Sequence, residues 1–210
     1  MIHILVADDH AVVRRGIKET LVDASDMFRV EEAGTAPEVL ERVRGQTWDL
    51  LILDLNLPGR GGLDLLADIR HDRPRLPVLV LSMYPEDQFA VRALRAGANG
   101  YLNKESAAEE LVTAVNKIVK GGRYVSDALA ERLAISVGPD ADRAPHEALS
   151  DREFQVLRLI GSGRTVSQIA EELSLSVKTI STYRTRILEK MGMATNAELT
   201  VYAVRTGLVG

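Results

Sequence analysis

Five short apolar runs separated by amphipathic stretches restrict the fold of this chain more than any other feature. The runs cover residues 2–7, 28–33, 50–53, 78–81 and 100–102 and are rich in Val, Ile and Leu. The third and fourth are almost wholly apolar, the pattern of strands covered on both faces. Between and after them lie residues 10–24, 36–45, 63–71, 86–96 and 107–119. In the last of these Leu111, Val112, Val115, Ile118 and Val119 recur at helical spacing. Five βα units of this kind predict an α/β fold: a doubly wound, five-stranded parallel sheet with helices on both faces.

Gly121-Gly122 closes the last of these helices, and residues 126–136 have the pattern of a short further helix. Residues 138–148 (GPDADRAPHEA) contain two prolines and almost no large apolar side chain, the composition of a linker. From Leu149 onward the strand signals vanish and four short helical patterns follow. The expected organisation is a first domain over 1–121, a linking segment over 122–147 and a small all-α domain over 148–210.

The absence of cysteine excludes disulfide scaffolds, Cys-zinc modules and thiol nucleophiles. The first ten residues hold too short an apolar run for a secretory signal. No stretch approaches the ~20 apolar residues of a membrane span. A cytoplasmic protein without membrane contact is expected. The net charge of −4 argues against a nucleic-acid partner when taken over the whole chain. Taken by segment it does not, because residues 1–121 carry −4 and residues 148–210 carry +2.

In open parallel sheets, ligands bind beyond the carboxyl ends of the strands. Asp8-Asp9-His10 follow the first run, Asp54 the third, Ser82 the fourth and Lys104 the fifth. Three carboxylates, a hydroxyl and an ammonium thus converge on one edge. Packed carboxylates repel unless a cation or protons neutralise them. An all-oxygen set with open positions suits Mg²⁺, which binds through one or two carboxylates plus substrate phosphate. Phosphoryl transfer to a carboxylate needs that metal, a lysine for the developing charge, and hydroxyl or N–H donors. Taken singly, each residue has a plainer reading: Asp9 as a helix cap, Asp54 as a loop acid, Ser82 as a cap, Lys104 as a surface charge and Tyr101 as core. His10 reads as a solvated or packing residue rather than a ligand.

Residues 1–121 resemble the receiver domain of two-component response regulators. The resemblance makes Asp54 the phospho-acceptor and gives Mg²⁺ to Asp8, Asp9 and Asp54, with the backbone carbonyl of Asn56 as a further ligand. It pairs Lys104 with the phosphoryl oxygens and makes Ser82 and Tyr101 a switch pair, the hydroxyl moving to the phosphate while the ring turns inward. Met83 and Asn103 depart from the commonest residues at their positions. Neither removes a required group.

In the last segment Ser150 and Glu153 have the spacing of a capping box, and Phe154, Val156, Leu157 and Ile160 form a buried face. A second helix follows Thr165, and a turn over 174–176 leads to a third over 177–191, ended by Gly192; a fourth covers 196–206. Two short helices across a tight turn make a helix-turn-helix, whose second helix enters the major groove. On that helix Ile180, Ile187 and Met191 share one face, with Leu188 at its flank. Candidate DNA contacts are Lys178, Thr179, Ser181, Thr182, Thr185, Arg186 and Lys190, hydroxyls reading bases and cations holding phosphates. Arg184 falls on the inward side, where an ion pair with Glu153 or Glu172 is expected. LSDRE, VSQIAEELSLSVKTI and RILEKMGM resemble the LuxR-type module, and the combined layout resembles the NarL/FixJ response regulators.

The resemblance implies a non-enzymatic, DNA-binding response regulator of a phosphorelay. A sensor histidine kinase would phosphorylate it, and phosphorylation would control dimerisation and transcription-factor activity. A homodimer would read an inverted-repeat duplex, with the fourth helix commonly making the DNA-bound dimer contact in the family. The rival reading is an aspartate-nucleophile phosphotransferase or phosphatase carrying a protein-interaction helical domain. Asn56, two residues after Asp54, cannot act as the general acid that such an enzyme needs.

Overall fold

The computed structural model describes residues 1–58, 61–83, 86–126, 129–130 and 144–209, the side chains of 86–88 and 108 excepted. The chain divides into two compact units, residues 1–139 and 140–210. In the first, β1 (Ile2–Ala7), α1 (Ala11–Ala24), β2 (Phe28–Ala33), α2 (Ala36–Gly45) and β3 (Leu50–Asp54) come first. They are followed by α3 (Gly62–Asp72), β4 (Val78–Ser82), α4 (Glu86–Arg95), β5 (Gly100–Asn103) and α5 (Ala107–Val119). The strands form one parallel sheet in the order β2-β1-β3-β4-β5.

Side-chain alternation sends Ile4, Val6, Leu50, Ile52, Leu79 and Leu81 to one face, where Ile17 and Leu21 of α1 and Leu111, Val115 and Ile118 of α5 pack on them. The intervening Leu5, Leu51, Leu53, Val80 and Tyr101 point to the other face and are equally buried. β3 and β4 are buried at every residue, which accounts for their near-continuous apolar sequence. Each fully buried Leu or Ile contributes about 1.5–3 kcal/mol. The strand order reverses beside β1, so β1 and β3 end next to each other, with Ala7 opposite Leu53.

The second unit begins with a single 3₁₀ turn at Pro145–Ala148. Then come α6 (Asp151–Gly161), α7 (Val166–Glu172), α8 (Val177–Met191) and α9 (Asn196–Arg205). The capping box expected at Ser150 and Glu153 is present, Thr165 and Gln168 form a second, and Ser176 accepts the Thr179 N–H. Gly192 ends α8 in the left-handed conformation, at φ +65°. Phe154, Leu157, Ile160, Ile169, Ile180, Ile187, Leu199 and Ala203 form its buried core.

The helix expected over 126–136 lies for the most part outside the described residues, as does the linker over 138–143. Among the described residues, no helix is long and apolar enough to cross a membrane.

Candidate functional site

Asp54 is the last residue of β3, Ser82 the last of β4, and Asp8 follows β1 directly. All three are buried: Asp8 and Asp54 are each 1 % exposed and Ser82 is fully enclosed. From the loop after β5, Lys104 Nζ donates to Asp8 Oδ2 at 2.5 Å and to Asp54 Oδ2 at 2.7 Å. One ammonium therefore bridges two buried carboxylates that would otherwise repel.

The remaining oxygens are oriented locally. Asp8 Oδ1 accepts the His10 N–H at 2.8 Å, and Asp54 Oδ1 accepts the Asn56 N–H at 3.1 Å. Asp9 is a third exposed, and its Oδ1 lies 2.7 Å from His10 Nδ1. Ligand atoms of Asp8, Asp9, His10 and Asp54 all lie within 4.8 Å of one another.

Burial raises the Asp54 carboxyl above its ordinary pKa, outweighing the opposing pull of Lys104, while Asp8 pushes in the same direction as burial. Burial would lower the Lys104 ammonium, but its pairing with Asp54 and Asp8 holds it above the usual lysine value. The cluster thus keeps Lys104 charged at neutral pH. An all-oxygen carboxylate set that concentrates negative charge fits a hard divalent cation such as Mg²⁺.

The plainer readings of these residues meet the structure unevenly. The residue before α1 is His10, which makes no side-chain cap bond, so Asp9 is not a helix cap. Asp54 and Ser82 belong to strands rather than to loops or helix starts. Lys104 is not a free surface charge. Tyr101 is fully buried, so the inward position expected for its ring is already occupied in this structure. His10 is exposed, as expected, with its Nδ1 2.7 Å from Asp9 Oδ1 and 3.4 Å from Asp8 Oδ1. Met83 projects into solvent beside Ser82 and is 56 % exposed.

One contributor escaped the sequence reading. Arg14 Nη1 donates to the Asp8 carbonyl at 2.7 Å, and its Nε pairs with Glu32 Oε2 at 3.3 Å, which fixes the loop carrying both acids. The signal lay in its spacing, because Arg14 shares the inward stripe of α1 with Ile17 and Leu21.

In the second unit, α8 follows a turn in which Ser174 adopts φ 52°. Lys178, Ser181, Thr182, Thr185 and Arg186 are exposed on it, and Thr179 is half-buried against the cap. The hydroxyls of Ser181, Thr182 and Thr185 donate to the carbonyls of Val177, Lys178 and Ser181, which leaves their oxygen lone pairs facing outward.

One cation departs from expectation: Arg184 bonds to Asn196 Oδ1 at 2.5 Å rather than to Glu153 or Glu172. Lys190, a candidate phosphate contact, pairs with the buried Glu153 at 2.6 Å. Burial would raise the Glu153 carboxyl, but Lys190 and Ser150 together hold it below its ordinary value. Glu153 thus ties α8 to the start of α6.

Residues 4–116 match the response regulator receiver domain family, and residues 147–203 match the bacterial regulatory proteins of the luxR family. The response regulator GacA of Pseudomonas aeruginosa is 37 % identical over 210 residues, covering 100 % of this chain and 98 % of that protein. This chain belongs to the NarL/FixJ family of response regulators. The response regulator UvrY of Escherichia coli is 34 % identical over 209 residues, covering 99 % of this chain and 96 % of that protein. Among solved structures, RcsB of Salmonella enterica bound to the rprA promoter with the phosphomimetic BeF₃⁻ superposes with a TM-score of 0.63 at 26 % identity. That match covers 96 % of this response regulator and 97 % of the RcsB chain.

Proposed function

We propose that this response regulator is a phosphorylation-controlled, DNA-binding transcription factor whose acceptor is Asp54. The observation that carries the reading is the convergence of Asp8, Asp54 and Lys104 at the switch point of the sheet, with Lys104 Nζ within 2.7 Å of both acids. Asp54 attacks the phosphorus of a phosphohistidine on a sensor kinase, or of a small acyl phosphate. A bond forms from its carboxylate oxygen, and the bond to the donor nitrogen or oxygen breaks with its electron pair leaving on the donor.

Asp8, Asp9 and Asp54, with the Asn56 carbonyl, would hold Mg²⁺, which neutralises charge building on the phosphoryl oxygens. Lys104 passes from its carboxylates to those oxygens. Ser82 supplies a hydroxyl donor at the adjacent strand end, and its movement with Tyr101 shifts the balance between two states of the domain. With Asn56 where a turnover phosphatase needs an acid, the domain modifies itself and is not an enzyme.

The receiver domain spans 1–121, a linking segment 122–147 and the DNA-binding domain 148–210. RcsB is solved on a promoter, and by that likeness α8 lies in the major groove with Lys178, Thr179, Ser181, Thr182, Thr185 and Arg186 towards DNA. Lys190 belongs to this set only if it leaves Glu153. The small positive charge of one such domain calls for a homodimer on an inverted repeat, where two weak contacts reinforce each other. A cytoplasmic location accompanies this role. Selection of duplexes bound by the full chain, with and without acetyl phosphate and Mg²⁺, tests the reading. Recovery of an inverted repeat that is enriched on phosphorylation supports it, and no salt-dependent duplex binding in either state refutes it.

A further inference from the structure

β5 is an edge strand of the sheet, and such an edge presents unpaired backbone groups that require cover. Here the cover is the chain's own next segment. Beyond α5 the backbone returns to bridge β5 in parallel, Gly100 opposite Tyr124. The Tyr124 N–H donates to the Asn99 carbonyl at 3.0 Å, and the Tyr101 N–H donates to the Tyr124 carbonyl at 3.2 Å. One residue at the start of the linking segment therefore grips the strand on both sides of Gly100, and one of its two bonds belongs to the candidate switch residue itself.

The side chain of Tyr124 is anchored elsewhere. Its hydroxyl donates to Glu110 Oε2 of α5 at 2.5 Å, and Lys117 Nζ of α5 lies 5.8 Å from the ring centroid. Tyr124 is thus fixed to α5 by its side chain and to β5 by its backbone. The close approach depends on glycine, because a Cβ at Gly100 would lie 2.7 Å from the Tyr124 carbonyl oxygen. Four residues further along, just past the other end of β5, Lys104 holds Asp8 and Asp54.

We propose that Tyr124 is a positioning residue that couples the switch strand to the segment leading into the DNA-binding domain. The inference rests on the reading of Asp54 as acceptor and Tyr101 as switch. Displacement of β5 at Tyr101 or Lys104 pulls on the Tyr101–Tyr124 bond, while Glu110 and Lys117 hold Tyr124 back on α5. The bridge then opens and releases residues 122–126. By linkage, loosening the bridge also biases the switch.

Hydrogen exchange over a peptide spanning 122–126 in the full chain, with the phosphorylated fraction counted on a phosphate-affinity gel, tests this. On treatment with acetyl phosphate and Mg²⁺ the wild-type segment is expected to exchange about fivefold faster, the equivalent of one lost hydrogen bond. In Gly100→Ala the segment exchanges fast in both states while phosphorylation proceeds. Tyr124→Phe, which keeps the ring and loses the Glu110 bond, narrows the difference between states. A phosphorylated wild type whose 122–126 segment is as protected as before overturns the proposal. So does a Tyr124→Phe variant with an unchanged difference between states. Failure of the wild type to become phosphorylated instead overturns the Asp54 reading, and the inference falls with it.

Discussion

Replacing Lys104 with methionine keeps most of the apolar stem and removes the ammonium 2.5 Å from Asp8 and 2.7 Å from Asp54. Both carboxylates are 1 % exposed, so the loss leaves two buried charges facing each other. Removing one partner of a buried pair costs about 3–5 kcal/mol. The lower end is expected, because burial already raises the Asp54 carboxyl and a proton can replace part of the lost charge. Urea unfolding followed by the fluorescence of Trp48 isolates the effect. It is the sole tryptophan, is 8 % exposed, and lies in the receiver unit. Mg²⁺ sharpens the test, since a ligand at 100 times its Kd stabilises the folded state by about 2.7 kcal/mol. Without Lys104 competing for the same oxygens, the variant is expected to gain more from Mg²⁺ than the wild type does. A variant within about 1 kcal/mol of wild type, or equal Mg²⁺ shifts in both proteins, would refute the assignment of Lys104 as the counter-charge of this site.

Other substitutions probe the second unit. The Glu153 carboxyl is held below its ordinary value near 4.5, so its contribution is full above that pH and lost as pH falls through the lowered value. Glu153→Gln should therefore destabilise α6–α9 by about 1–3 kcal/mol at neutral pH in circular-dichroism melts, with the gap closing as pH falls below the carboxylate range. Lys178→Ala should reduce the salt slope of DNA binding by about one, whereas Lys190→Ala should leave that slope unchanged and lower thermal stability by stranding Glu153. Gly192→Ala, at φ +65°, should cost about 1 kcal/mol in the same melts.

The apolar periodicity located every strand, but it ended three of them a residue early. Asp54, Ser82 and Asn103 interrupt the apolar pattern, yet the backbone ladder continues through them, with Asp54 opposite Leu81 and Ser82 opposite Asn103. The functional side chains are thus the polar ends of buried strands, and the backbone pairing is what holds them in place. The cap at Ser150 was legible because it and its partner Glu153 lie three residues apart. Pairs made across the fold were not legible. Arg14 reaching the Asp8 carbonyl, Lys190 reaching Glu153 and Arg184 reaching Asn196 each depend on how elements pack, which local spacing does not encode. The Tyr124 bridge was hidden for a related reason. Its segment follows two glycines and is too short to display a strand's alternation.

The central claim is that Asp54 accepts the phosphoryl group. Intact-mass measurement of wild type and Asp54→Asn after incubation with acetyl phosphate and Mg²⁺ tests it most directly. Wild type should gain the mass of one phosphoryl group, and the variant, folded by circular dichroism, should gain none. An equal gain in both proteins would contradict the account.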